Sequence, residues 1–134
     1  MVTLRHAINI AAPTGAVFTA LSEPAAMQPW HLGTVEGSFG VGEVVRLLSR
    51  PGLAFAWRTD VIEPGASFTQ TCVDGPGSSA GKTLRFEIAD GGDGRTRASL
   101  AHEGWDADDP ELPFCNTYWG EALARLRDHL EQPA

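Results

Sequence analysis

The sequence predicts an α+β fold in which a curved antiparallel sheet closes around one long helix at the carboxyl end. Between residues 33 and 105, short runs rich in Val, Ile, Phe, Thr and Trp are separated by "FGVG", "RPG", "EPG", "DGPGSSAG" and "DGGDG", the punctuation of consecutive hairpins. Beyond residue 110 the pattern changes, and Cys115, Trp119, Leu123, Leu126 and Leu130 recur at spacings of three and four, which gives one apolar stripe along a helix. A meander of seven strands twists strongly in one direction and must cover its apolar face, so it curls around that helix.

The elements follow in order. In "TLRHAINI" the residues Leu4, His6, Ile8 and Ile10 alternate with polar or small ones, a period of two that marks a strand. "APTGAVFTALSEP" places Val17, Phe18 and Leu21 on one helical face with Pro13 in the first turn; Pro24 stops that helix, and a second short helical turn runs through Met27. Six strands are then expected near residues 33–39, 43–49, 53–63, 67–74, 82–89 and 95–104. Glu63-Pro64-Gly65-Ala66 and Arg50-Pro51-Gly52-Leu53 both read as type II turns, and Gly40 reads as the opening of a two-residue II′ turn. For the last helix, Asp109 is the expected N-cap and Pro110 the first helical residue; Arg125, Arg127 and His129 lie near the negative end of its dipole. Gly120, in the middle, costs about 1 kcal/mol in helix propensity and suggests that a ring or backbone passes close by.

At 134 residues the chain is expected to form a single domain, residues 1–134, with one sizeable core. Ten Lys and Arg against seventeen Asp and Glu leave a net charge of −7, which repels nucleic acid and anionic membrane surfaces and removes both as expected partners. The amino terminus reads neither as a signal peptide nor as a transmembrane helix, so a cytoplasmic location is expected. Cys72 and Cys115 share no metal-type spacing and read as reduced thiols. His6, His31, His102 and His129 fall on four different elements, and no metal or other cofactor is expected.

"INIAAPTGAVFTAL" with "MQPW", the segment "WRTDVIEPGASF", "TRASLAHEGW" and the closing "CNTYWGEALARLRDHLE" resemble the START-like, or SRPBCC, superfamily. Within it they look most like the bacterial proteins related to the carboxyl-terminal domain of the heat-shock-protein-ninety ATPase activator. The resemblance implies a helix-grip fold, β-α-α-β6-α, with an internal cavity that in many relatives takes apolar small molecules. The same scaffold carries cyclases and dehydratases, plant hormone receptors and lipid-transfer domains, so the fold does not by itself select an activity.

The expected function is binding of a small, largely apolar ligand between the sheet and the last helix, by a monomer or a homodimer. Two alternatives stand beside it: a cyclase- or dehydratase-like enzyme using His102 as acid or base, and a protein-interaction module of the co-chaperone kind. The eye is drawn to "LAHEGW", where a histidine, a glutamate and a tryptophan adjoin. In a strand, successive side chains point to opposite faces, so His102 is expected inside with Ala98 and Leu100 while Glu103 faces solvent. The expected ligand-binding residues are His102, Trp30, Trp57, Trp105, Cys115, Trp119, Phe39 and Phe55. Thr59, Gln70 and Thr71 are further polar candidates, although a bulge in either strand would reverse which of them points inward.

Three look-alike motifs dissolve on inspection. His-Glu-x-x-His fails because position 106 is Asp. "GSSAGKT" lacks the first glycine of a phosphate loop, since Pro76 stands there, and strand rather than helix follows it. The acidic run Asp106, Asp108, Asp109 and Glu111 lacks calcium-loop spacing and reads as helix capping.

Overall fold

The fold was described from a computed structural model, which defines residues 1–50 and 53–132. The chain runs β1 (Val2–Ile10), α1 (Thr14–Ser22), α2 (Pro24–Met27), β2 (Thr34–Gly37), β3 (Val44–Arg50), β4 (Leu53–Glu63), β5 (Ser67–Asp74), β6 (Thr83–Gly92), β7 (Arg95–Trp105) and α3 (Leu112–Glu131). All seven strands form one antiparallel sheet in the order β1-β7-β6-β5-β4-β3-β2. Among the described residues, only the β1–β7 pairing joins strands distant in sequence. Among the described residues, no helix is long and apolar enough to cross a membrane.

The core lies between the concave face of the sheet and the helices. Ile10, Val17, Leu21, Phe68, Leu84, Phe86, Leu100, Leu123 and Leu126 are all buried there. On α3 the expected stripe faces inward, with Trp119, Ala122, Leu123 and Leu126 buried and Cys115 and Leu130 at its half-buried ends. Phe18, Phe39 and Phe68 meet edge to face at centroid distances of 5.1–6.1 Å, and Phe68 stacks on Phe86 at 4.9 Å.

Of the three expected turns, one closes as expected, one is built differently and one falls outside the described residues. Glu63–Ala66 closes as expected: Ala66 N–H donates to the Glu63 carbonyl at 2.9 Å, and Gly65 takes φ +75°. Gly40, however, does not open a II′ turn. It is the first residue of a turn closed by Glu43 N–H on its carbonyl, and Gly42 holds the positive φ of +83°. The type II turn expected at Arg50–Leu53 has its central residues, Pro51 and Gly52, outside the described residues.

Both proline-based helix starts move by a few positions. Pro13 is the N-cap of α1, in extended conformation, rather than a residue of its first turn. Asp109 does not cap α3, which begins at Leu112 after Glu111, with Pro113 in its first turn. Asp109 has other partners: its Oδ1 accepts the Glu111 N–H at 2.9 Å and its Oδ2 accepts the Ser78 hydroxyl at 2.6 Å. That second bond ties the β5–β6 loop to the β7–α3 loop, and it draws the Asp109 carboxyl below its usual pKa.

Gly120 is not required by close packing. A Cβ built there meets only the His6 ring, at 3.9 Å, an ordinary contact. Gly120→Ala is therefore expected to stabilise the protein by about 1 kcal/mol, read as a raised chemical-denaturation midpoint with an unchanged slope. A loss of stability would show that the His6 contact tolerates no added methyl group.

Candidate functional site

A cleft of about 640 Å³ opens between the sheet and the amino-terminal half of α3. Its walls come from Leu47, Leu53, Phe55 and Trp57 on β3 and β4, from His102 on β7, and from Glu111, Phe114, Cys115, Thr117, Tyr118, Trp119 and Glu121 before and along α3. Five of the eight expected site residues meet here: Phe55, Trp57, His102, Cys115 and Trp119. The other three lie elsewhere. Phe39 joins Phe18 and Phe68 in the aromatic core. Trp30 is buried under α1 with its indole N–H donating to the Ala20 carbonyl at 2.9 Å. Trp105 is 1% exposed and ends β7 beneath the Lys82 ammonium, which sits 4.4 Å from its ring centroid.

His102 occupies the position its strand parity dictates. It is buried, Glu103 is exposed, and Ala98 and Leu100 share its inward face. Strict alternation would send Trp105 outward, three residues later. Instead the register with β1 slips by one residue, from Leu4↔His102 to Val2↔Trp105, and Gly104 takes φ +100°. The bulge returns Trp105 to the inner face, and its ring packs edge-on against His102 at 5.1 Å.

The imidazole is enclosed on three sides by indoles, since Trp57 and Trp119 also meet it edge-on at 5.8 and 6.2 Å. Trp119 Nε1–H donates to His102 Nδ1 at 3.1 Å. An indole nitrogen can only donate, so Nδ1 must carry its lone pair and the neutral ring must carry its proton on Nε2. Burial, reinforced by the Lys82 charge, depresses the His102 pKa to about 4, so the ring is neutral at pH 7. Among the described residues Nε2 has no protein partner. His102 thus brings to the lining of the cleft a hydrogen-bond donor whose tautomer is fixed.

Cys115 also lines the cleft, as a poor nucleophile. Burial, and next the Glu111 carboxylate, push its thiol up to about 11, so the thiolate is absent near neutrality. Cys72 is buried elsewhere in the sheet with its thiol likewise raised, chiefly by burial. Both are free thiols, as expected.

Other residues at or near the cleft include Lys82 and Phe114, which the sequence did not single out as site residues, and the polar candidates Thr59, Gln70 and Thr71. Lys82, from "GSSAGKT", is buried, donates to the Ser78 carbonyl and covers Trp105, so the look-alike phosphate loop supplies a structural lysine. Thr59 and Gln70 do face inward, with Gln70 Nε2–H donating to Thr59 Oγ1 at 3.1 Å. Thr71 faces away and donates to Asp60 Oδ2 at 2.5 Å. Phe114, 70% exposed at the cleft rim, and Tyr118 complete the aromatic lining.

A protein-family model described as Activator of Hsp90 ATPase homolog 1-like protein matches residues 11–131. Among solved structures, the Aha1 dimer from Colwellia psychrerythraea superposes with a TM-score of 0.87 at 22% identity, over 98% of this chain and 97% of that one. An HSP90 activator from Plasmodium falciparum gives 0.83 at 15% identity, with 99% of each chain covered. CalU16 from Micromonospora echinospora gives 0.81 at 18% identity, over 98% of this chain and 76% of that one. No curated protein matches the sequence. At these identities the likeness establishes a shared fold.

Proposed function

Because the chain belongs to the Activator of Hsp90 ATPase homolog 1-like family, whose helix-grip fold leaves a space between sheet and helix, we propose that it binds a small, largely apolar molecule there. The observation that carries this reading is the His102 Nε2–H, its tautomer fixed by Trp119, in a lining where Leu47, Leu53, Phe55, Trp57, Phe114 and Trp119 supply apolar surface beside the Thr117 and Tyr118 hydroxyls, the Cys115 thiol and the Glu111 and Glu121 carboxylates. Such a wall suits a ligand with an apolar body and one carbonyl or ether oxygen for His102 to address.

The locked tautomer argues against His102 as a general base. Accepting a proton at Nε2 requires the lone pair there, and the donation from Trp119 keeps that lone pair on Nδ1. A pKa of about 4 likewise leaves almost no imidazolium to serve as an acid at pH 7. Binding is therefore the reading this geometry favours over acid–base catalysis.

Native mass spectrometry of freshly purified protein is expected to show a retained small molecule, and the emptied protein is expected to bind Nile red with a blue-shifted emission. His102→Phe should weaken binding of the carbonyl-bearing dye about tenfold, the contribution of one lost hydrogen bond. A protein that neither retains a molecule nor binds the dye would overturn the proposal.

A second reading, docking to an Hsp90-type chaperone, is supported by the family description and by the exposed Phe114 at the cleft rim. It predicts that the chain stimulates the ATPase of an Hsp90 added to it, and that Phe114→Ser removes the stimulation; no change in ATPase rate on mixing would exclude it.

A further inference from the structure

Behind the cleft, deeper between sheet and helices, lies a second space of about 20 Å³. That volume admits one water-sized group. Leu47, Trp57, Tyr118 and Trp119 line both spaces, so these four residues form the wall between them. The inner chamber is not uniformly apolar: His31 and Gln70, 6% and 7% exposed, both line it. His31 Nε2 is buried without a hydrogen-bond partner, a state that costs about 1–3 kcal/mol if nothing fills it.

The position of His31 is held firmly. Its backbone N–H donates to the Met27 carbonyl at 2.9 Å, and the preceding carbonyl, of Trp30, accepts the Arg125 Nε–H at 3.2 Å. Burial, and next the Arg125 charge, lower its pKa below the ordinary histidine value. A buried, unpartnered nitrogen on a firmly held residue that lines a chamber the size of one oxygen calls for a hydrogen-bonding group.

We propose that the inner chamber receives the terminal hydroxyl of the ligand whose apolar body occupies the outer cleft, with His31 Nε2 as its hydrogen-bond partner. The inference deepens the ligand-binding reading and rests on it. A hydroxyl both donates and accepts, so it satisfies His31 in either neutral tautomer. A carboxylate would bring two oxygens and a charge into a chamber with room for one group and no cationic lining residue. The ligand class is therefore an apolar alcohol or phenol. The shared wall gives the route: displacement of the Tyr118 ring merges the two spaces while Trp119 stays bonded to His102, which addresses the ligand body as His31 addresses its tip.

The test uses two probes of matched shape, 2-naphthol and 2-methylnaphthalene, with nitrogen-15 NMR of the histidine rings in the full chain. Naphthol is expected to bind about tenfold more tightly, the discrimination that one neutral hydrogen bond supplies. It should move the His31 Nε2 resonance while the methyl analogue leaves that resonance in place. His31→Leu should abolish the preference and keep the affinity for 2-methylnaphthalene, with Gln70→Leu as a second variant should the first fail to fold. Binding of both probes with only the His102 resonance responding overturns the inner-chamber assignment and leaves the ligand-binding reading intact. Binding of neither overturns both.

Discussion

Replacing Trp119 by alanine is expected to lower the unfolding free energy by about 3–5 kcal/mol, the range for removing a large buried aromatic. The indole is 7% exposed, meets Phe86 at 6.0 Å and Tyr118 at 5.1 Å, and supplies the only hydrogen bond found on the His102 ring among the described residues. Truncation opens the wall between the outer cleft and the inner chamber and frees His102 Nδ1 at the same time. Trp119→Phe separates the two effects. It retains most of the ring but removes the indole donor, and it should cost about 1–3 kcal/mol, the penalty for an unsatisfied buried acceptor. Urea titration monitored by far-ultraviolet circular dichroism reads both values, and a loss below 1 kcal/mol for the alanine variant would show that Trp119 is not part of the packed wall.

Acidification is expected to remove about 3 kcal/mol of stability between pH ~6.5 and ~4, largely through His102. The folded protein holds this ring neutral down to a pKa of about 4, whereas the unfolded chain takes up a proton near the free value of 6.5. Below pH ~6.5 the unfolded state therefore binds more protons, and stability falls with pH until the folded ring also titrates. His31, whose pKa is lowered by burial and by Arg125, adds to the slope in the same direction. His102→Gln retains an acceptor for Trp119 but does not titrate. Chemical denaturation at pH 7 and pH 4.5 should show a clearly smaller drop for this variant than for the wild type, and equal drops would show that His102 is not the responsible group.

The strand pattern was legible almost residue by residue. The expected runs 53–63 and 67–74 coincide with β4 and β5, and the remaining strands differ by one to three residues at their ends. Alternation succeeds there because one face of each strand is buried and the other is wet. The start of α3 was not legible, because Pro110 and Pro113 both suit a first helical turn and Asp109 is claimed by Ser78, 31 residues away in sequence. The site was legible in part. Parity placed His102 correctly, but Trp105 returned inward only through the bulge at Gly104, and its pairing with Lys82 is set by strand register rather than by any local signal. Trp30 and Phe39 illustrate the limit of composition. An aromatic near a strand end suits a cleft rim or a core equally well; Trp30 entered the core and Phe39 packs half-buried against it.

The open sheet leaves two terminal strands, and they bear on how concentrated solutions of this protein behave. At one end β2 offers only four residues, Thr34–Gly37, with Glu36 exposed among them. At the other, α3 packs along β1, and the Ala11 N–H that follows the strand is capped by Glu131 Oε2 at 2.9 Å. Neither edge presents a long, flat, uncharged row of free amides, which is the template on which intermolecular cross-β stacking begins. Together with a net charge of −7, these edges disfavour pairing of one sheet with another edge to edge.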